Sequence, residues 1–215
     1  MISLRIKAIG EMIPADVRLI DVGCDHAYLD IYLANKYPTI ECLATDVNAN
    51  ALSSAIKNIK ESNLEERIFP ILTNGLEGIK IEENDFIVIS GMGTNTIIEI
   101  LEKHLNEIDN IIIQSNRALE DLRKFMFENN FKIVEEKIVF DKKYYIVIHF
   151  KKGNFTPELI DYWLGPIIKN SKNTNYFNYL IKEYEKLLKK VPKESLRNLE
   201  ILKKISCLKE LIEKK

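Results

Sequence analysis

The chain has 215 residues, of which 46% are hydrophobic and 29% are charged, and its formal net charge is −1. This composition is typical of a globular protein, and no apolar run approaches the ~20 residues that a membrane-spanning helix requires. Three scattered cysteines, Cys24, Cys42 and Cys207, have neither a metal-ligand spacing nor the spacing of a disulfide framework. They favour a reducing, cytoplasmic location and argue against a disulfide-stapled secreted domain.

Strands and helices are predicted to alternate along most of the chain. A short helix over residues 3–12 ends before Pro14, because proline lacks the amide hydrogen and clashes with the preceding turn. Five short apolar segments, each followed by a helix-like segment, occupy residues 18–130, and Pro70 places the third near a sheet edge. This order predicts a parallel sheet covered on both faces. Two longer segments within residues 131–153 are separated only by two lysines, so we expect an antiparallel β-hairpin.

The carboxyl-terminal segment has a different organisation. Residues 154–166 are punctuated by glycine and proline and indicate a connector. Two stretches, residues 173–190 and 194–213, repeat apolar side chains at helical spacing and predict a coiled-coil-like helical hairpin. We therefore predict two domains, residues 1–153 and 154–215.

Charge is distributed unevenly between these two parts of the chain. Residues 1–150 hold 16 Lys and Arg against 24 Asp and Glu, whereas residues 151–215 hold 15 against 8. The positive excess indicates either a segment that meets a polyanion or helices whose solvent faces are simply rich in lysine.

The turn after the first predicted strand, in the stretch DVGCDHAYLD, is lined with acids. Dinucleotide-binding turns carry several glycines for close approach of a pyrophosphate, but here only Gly23 is present, and Asp21 and Asp25 would repel phosphate. S-adenosylmethionine, which has an ammonium and a sulfonium and no phosphate, fits such a turn. Asp46 ends the second strand, close to the offset at which an acid binds ribose hydroxyls.

Polar and small residues follow the later strands as well. Asn74 offers an amide to an adenine edge, and Leu76 is expected near the face of the same ring. Ligands of open parallel sheets bind beyond the carboxyl ends of the strands, so this order predicts a class I methyltransferase. The predicted cofactor-binding residues are Asp21, Gly23, Asp25, His26, Asp46, Val47, Asn74, Gly75, Leu76, Ser90 and Gly91.

The fourth strand ends in ISGMGT, where the acceptor is expected to bind. Gly91 and Gly93 would let a flat base approach the backbone, and Met92 would pack on it. The fifth strand ends in QSN, which places Gln114 and Asn116 beside the same crevice. Asp25, Met92 and Asn116 are the predicted catalytic residues. No proline–cysteine pair is present to supply a cysteine nucleophile.

The stretches DVGCDHAYLD, NGLEGI, SGMGT and IIIQSN, together with Arg5 in an opening helix, resemble the bacterial tRNA N1-adenine methyltransferases that act at position 22, the TrmK family. The resemblance spans essentially the whole chain. It implies a Rossmann-like α/β catalytic domain, a coiled-coil-like carboxyl domain, S-adenosylmethionine as donor and tRNA as substrate. We further expect no metal, a monomer, and in-line transfer of the methyl group to N1 of an extruded adenine. The substrate-binding residues that we expect on this basis are Arg5, Tyr28, Gly93, Lys182, Lys186, Lys189 and Lys190.

Four positions depart from the family pattern. Asp30 stands where proline is usual, Asn74 where aspartate is usual, Thr94 where a glycine is usual, and Ser115 interrupts Q-P-N. Several roles stay open at this point: Asp25 binds the donor or the adenine, His26 orients a ligand or supports the helix start, and Tyr28 binds substrate or packs. The alternatives for the whole protein are a methyltransferase for another RNA, a small molecule or a protein, and a non-catalytic RNA or protein adaptor.

Overall fold

Seven strands form one sheet in the computed structural model, which describes residues 2–214. The strands are β1 (Arg18–Val22), β2 (Glu41–Asp46), β3 (Ile68–Leu72), β4 (Asp85–Met92), β5 (Asn110–Ser115), β6 (Phe131–Asp141) and β7 (Lys143–Lys152). Their order is β3-β2-β1-β4-β5-β7-β6, with β1 to β5 parallel and β7 antiparallel to both neighbours. The predicted Rossmann-like α/β sheet and its terminal hairpin are confirmed, and Pro70 lies on the edge strand β3 as expected.

Helices connect the strands of this sheet. They are α1 (Leu4–Gly10), α2 (Tyr28–Lys36), α3 (Ala49–Glu61), α4 (Thr94–Leu101), α5 (Leu119–Glu128) and α6 (Leu159–Trp163). Side chains of α1, α2 and α3 share one buried apolar cluster with β1 and β2, whereas α4 and α5 pack together. From β1 the sheet is extended toward β3 on one side and toward β5 on the other. Because the crossover connections are right-handed in both directions, the two groups of helices cover opposite faces of the sheet. The carboxyl ends of the parallel strands are therefore left open to a ligand.

The connector after the hairpin is more ordered than its sequence predicts, because it contains α6. The glycine and proline punctuation hid this helix, whose five residues are too few for a periodic pattern. The backbone amides of Ile167 and Ile168 donate to the buried Glu136 carboxylate, and Gly165 passes so close that a Cβ there would collide with it. The first compact unit accordingly ends at Ile168 rather than at residue 153. The functional division between the two segments stays a prediction.

The second unit begins at Lys169 and contains two long helices, α7 (Thr174–Leu188) and α8 (Leu196–Glu213). Asn173 caps α7 through its side-chain oxygen, and Ser195 caps α8 in the same way. The two helices contact each other, and Ile201, Ile205 and Leu208 of the predicted apolar stripe are buried. That the pair forms a coiled coil stays a prediction. Across residues 2–214, none of the helices has the length and apolarity to cross a membrane.

Candidate active site

A cavity of about 940 Å3 opens at the carboxyl ends of β1, β2 and β4. Its walls come from the turn after β1, from the end of β2, from the segment after β3 and from the glycine-rich end of β4. Residues of α1 and α4 complete it. Ligands of doubly wound sheets bind at this place, where the strand order reverses. Its volume lies near the upper end of the range of about 300–1,000 Å3 that is usual for small-molecule sites.

The turn after β1 is shaped by unusual backbone conformations and is tied to β2. Gly23 has φ +75°, and a Cβ there would collide with the methyl group of Met92. Asp25 and Ala27 also have positive φ, 53° and 55°, a conformation that costs non-glycine residues free energy and clusters at ligand sites. The amides of Gly23 and Cys24 donate to the Thr45 carbonyl, which fixes the turn against the neighbouring strand.

Asp46 at the end of β2 organises the rim of this turn. Its Oδ2 accepts from the Asp25 amide at 3.1 Å, and its Oδ1 accepts from the Asn48 amide at 2.8 Å. The side chain of Asp25 is 71% exposed, and one of its carboxylate oxygens lies 3.7 Å from Nε2 of His26. The His26 ring in turn stacks on Tyr28 at 5.3 Å between centroids. His26 thus lies next to Asp25 and stacks on Tyr28, and whether it orients a ligand or supports the helix start stays a prediction.

A pair of buried carboxyl groups lies beneath the turn. Asp30, in the first turn of α2, is fully buried close to Asp21 at the cavity wall, and neither of its carboxylate oxygens has a hydrogen-bond partner among residues 2–214. Burial raises the pKa of Asp30 to about 6. Burial, followed by the negative charge of Asp30, raises the pKa of Asp21 well above its usual range. Both shifts favour the protonated form of the carboxyl groups, as expected when two like charges would otherwise share one buried site.

Replacing Asp30 by asparagine is expected to stabilise the ligand-free protein at high pH. Because the pKa of Asp30 is raised on folding, the folded state loses stability as pH rises from about 4 through 6, by an amount on the order of 2–3 kcal/mol. Urea unfolding at pH 8 should show Asp30→Asn to be more stable than the wild type, and the difference should vanish near pH 4. Asp16→Asn, at an exposed position, serves as control. A difference in the free energy of unfolding between Asp30→Asn and wild type that did not change with pH would contradict the raised pKa of the buried Asp30.

The other end of the cavity carries a chain of hydrogen bonds. Arg5 of α1 donates from Nη1 to Oε1 of the fully buried Gln114 at 3.1 Å. Gln114 donates from Nε2 to Oδ1 of Asn116 at 3.2 Å, and Asn116 donates from Nδ2 to the Gly91 carbonyl. Because β4 and β5 are neighbours, three separate segments hold this end in place. The sequence placed Arg5, Gly91 and Asn116 at one site, and the structure brings them together.

Two of the departures from the family pattern lie in contact with each other. The hydroxyl oxygens of Thr94 and Ser115 are 2.9 Å apart and both residues are buried. Both hydroxyls also bond to the Arg117 carbonyl, at 2.7 Å and 2.8 Å. Each hydroxyl has one hydrogen, so at least one of the two donates to the Arg117 carbonyl, and the other donates to that carbonyl or to the neighbouring hydroxyl; either way the pair links the start of α4 to the end of β5.

The predicted site residues are distributed as follows. All eleven predicted cofactor-binding residues line the cavity, as do Arg5, Tyr28 and Met92. Asn116 lies just behind the wall through its bond to Gly91, and Gly93 lies at the start of α4 beside the guanidinium group of Arg117. Four predicted tRNA-binding lysines belong to the second unit: Lys182, Lys186, Lys189 and Lys190. The individual roles of all these residues stay predictions.

One wall of the cavity was missed from sequence. Thr96, Glu99, Ile100 and Lys103 line it from α4 and the residues after that helix. They follow the i, i+3, i+4, i+7 spacing of a single helical face, which was the available signal. Gln114 was placed at the crevice from sequence but was not counted among the site residues.

Neither thiol nor metal chemistry is indicated by the side chains at this site. Burial raises the pKa of the Cys24 thiol, and the neighbouring Asp21 raises it further, so the nucleophilic thiolate is disfavoured. Over residues 2–214, no three His, Cys, Asp or Glu side chains are grouped in a way that could hold a metal ion.

The chain is similar to known proteins along nearly all of its length. The family model described as TrmK, tRNA (adenine(22)-N(1))-methyltransferase, matches residues 19–215. A Mycoplasma genitalium protein is 31% identical over 217 residues, covering 97% of this chain and 96% of that protein. The tRNA (adenine(22)-N(1))-methyltransferase of Bacillus subtilis is 29% identical over 157 residues, covering 71% of this chain and 66% of that enzyme.

Two solved structures share the fold along nearly the full length. M. capricolum TrmK in complex with S-adenosyl-homocysteine is 33% identical with a TM-score of 0.85, covering 99% of this chain and 98% of the other. Streptococcus pneumoniae Sp1610 in complex with S-adenosyl-L-methionine is 30% identical with a TM-score of 0.88, covering 99% and 100%.

Proposed function

The chain belongs to the TrmK family of tRNA (adenine(22)-N(1))-methyltransferases, and we propose that its cavity brings the methyl donor and an extruded adenine together. As a member of this family, the protein is an S-adenosylmethionine-dependent enzyme that methylates N1 of adenine 22 in tRNA. The observation that carries the proposed mechanism is this cavity, because the acid-lined turn after β1 and the polar network around Gly91 both open into it.

The acid-lined end fits the donor. Asp46 would bind the ribose hydroxyls, since its carboxylate already lies at the rim with both oxygens fixed. Val47, 69% exposed, and Leu76 would contact the adenine ring, and Asn74 would bond to its edge. Asp21 and Asp25 would attract the ammonium group. When bound, S-adenosylmethionine supplies the methyl group from a positively charged sulfonium.

The polar end fits the acceptor. Adenine N1 attacks through its in-plane lone pair, so no strong general base is required and positive charge moves from the donor to the base. Asn116 and Gln114, held by Arg5 and Gly91, would orient the base, and Met92 would pack on its face. These residues position the reactants and exclude water, which are the main sources of rate enhancement for such a transfer. Because N1 lies on the pairing edge, the base must leave any duplex before it enters.

The function is tested by incubating the protein with a tRNA that has adenine at position 22 and with isotope-labelled S-adenosylmethionine. Nucleoside analysis should recover the label as N1-methyladenosine. Asp25→Ala should lower kcat/KM by about tenfold or more, as loss of one charged hydrogen bond does. Absence of label in the tRNA would instead leave a non-catalytic adaptor or a different acceptor as the explanation.

We assign tRNA binding outside the cavity to the second unit. Its exposed lysines would contact phosphates along a folded RNA, whose shape rather than sequence is read by such contacts. Lys189→Glu with Lys190→Glu is expected to weaken tRNA binding about tenfold near 0.1 M salt and to leave donor affinity unchanged. Filter binding would measure the first and calorimetry the second. Lys57→Glu with Lys60→Glu, an equal charge change on α3, is the control, and equal loss in both variants would refute the assignment.

The protein is proposed to act as a monomer in the cytoplasm, where tRNA and the donor occur together. Light scattering of the purified protein would test the oligomeric state.

A further inference from the structure

The end of the β6–β7 hairpin extends beyond the sheet on the side where the cavity opens. β7 pairs with β5 only between Ile148 and Lys151, whereas its pairing with β6 continues to Asp141 opposite Lys143. In this register residues 140–145 lie past Ser115, the last residue of β5. We call residues 140–145 the hairpin tip. It projects from the same edge of the sheet as the ligand-binding ends of the parallel strands.

The hairpin tip is rich in exposed cations and aromatic rings. Phe140 is 59% exposed, and its ring centroid lies 4.9 Å from that of Tyr144. Lys142 forms the turn with φ +63°, and both it and Lys143 are exposed. Neither lysine forms an ion pair within residues 2–214, whereas Lys137, farther back on β6, pairs with Glu11 and Glu135. Lys142 and Lys143 of the hairpin tip are therefore available to a ligand.

A continuous row of side chains joins the hairpin tip to the cavity. The guanidinium of Arg5, which lines the cavity and bonds to Gln114, lies 5.3 Å from the ring centroid of Tyr145. The ammonium of Lys143 lies 4.9 Å from the same centroid. Arg5 is thus shared between the acceptor end of the cavity and the hairpin tip. A nucleotide whose base occupies the cavity would carry its neighbours toward this row.

We propose that the hairpin tip binds the tRNA segment next to the target adenine, with Lys142 and Lys143 on phosphates and Phe140 stacked on a base. The inference rests on the proposed function, since it requires an RNA with one base in the cavity. Proteins bind unstacked nucleic acid with this combination of cationic side chains and exposed aromatic rings. The surface is suited to a polyanion with flat bases rather than to an acidic peptide, which offers no stacking partner for the rings.

The lysines are tested with Lys142→Glu combined with Lys143→Glu in the full-length protein. Its dissociation constant for tRNA is expected to rise about tenfold near 0.1 M salt, and the slope of its logarithm against log salt should fall by about 2. Donor affinity by calorimetry should stay within twofold of the wild type. Lys57→Glu with Lys60→Glu on α3, which makes the same charge change, should alter tRNA affinity less than twofold.

The ring is tested separately with Phe140→Leu and Phe140→Tyr. Leucine keeps the apolar bulk without a stacking face and should lower kcat/KM for tRNA about tenfold. Phe140→Tyr keeps the aromatic stacking face and should retain most of the wild-type kcat/KM for tRNA. Thermal melts confirm that each variant folds.

Two results would overturn the proposal: tRNA affinity and kcat/KM within twofold of wild type in the hairpin variants, or a parallel loss of donor affinity. Neither would affect the proposed function, which fails only when the wild-type protein leaves tRNA unmethylated.

Discussion

Replacing Asp46 by alanine is expected to raise the KM for S-adenosylmethionine about a hundredfold or more. The carboxylate is proposed to bind two ribose hydroxyls, and hydrogen bonds to charged groups contribute about 1.5–3 kcal/mol each. The substitution also releases the amides of Asp25 and Asn48, which the two carboxylate oxygens hold in place. Steady-state kinetics at saturating tRNA, with donor affinity from calorimetry, would measure the loss.

Asp46→Asn compares the two contributions of this carboxylate, its bonds to the ribose hydroxyls and its hold on the two backbone amides. The amide keeps the size and one acceptor oxygen but replaces the other with a donor that faces a backbone amide. We expect a loss between those of alanine and wild type. Unchanged donor affinity in Asp46→Ala would show that the carboxylate supports only the turn, and the ribose assignment would be wrong.

Replacing Glu136 by alanine is expected to lower the free energy of unfolding by about 3–5 kcal/mol, the usual cost of removing one partner of a buried ion pair. Glu136 Oε1 accepts from Nη2 and Nε of Arg123 at 2.8 Å and 3.1 Å. Its Oε2 accepts from the amides of Ile167 and Ile168 at 3.0 Å and 3.2 Å. Alanine would leave a buried guanidinium and two amides without these partners, and urea unfolding would measure the result.

The control for Glu136 is an exposed ion pair on the same helix as Arg123. Lys124 and Glu128 lie 4.0 Å apart on α5, with both side chains more than 60% exposed. Glu128→Ala should therefore change the free energy of unfolding by less than about 1 kcal/mol. If Glu136→Ala also lowered the free energy of unfolding by less than about 1 kcal/mol, the packing of the connector would not depend on this carboxylate.

Local pattern was enough to predict the sheet and the residues of the acid-lined turn that line the cavity. Continuously apolar segments predicted the buried parallel strands. The pair of lysines between two long segments predicted the hairpin, and the single glycine among acids predicted the turn that lines the cavity. The acids were assigned to strand ends, and topology places strand ends at one edge of the sheet.

What could not be predicted depends on pairs distant in the chain or on short elements. Arg123 and Glu136 are both charged, so neither is marked as buried by hydropathy, and only the tertiary structure brings the connector onto them. The contact between Thr94 and Ser115 likewise joins two strand ends that the sequence presents separately. Asp30 lies on the buried face of α2, where an acid is unexpected, and its partner Asp21 is on another element.

The most direct test of the central claim maps the methyl group within the tRNA. A methyl group at adenine N1 blocks base pairing, so reverse transcription should stop immediately before nucleotide 22, opposite its 3′ neighbour, only after incubation with both the protein and S-adenosylmethionine. A transcript with guanine at that position should show no stop and take up no label. Uptake of label that persists on the guanine transcript, or a stop at another nucleotide, would contradict the assignment.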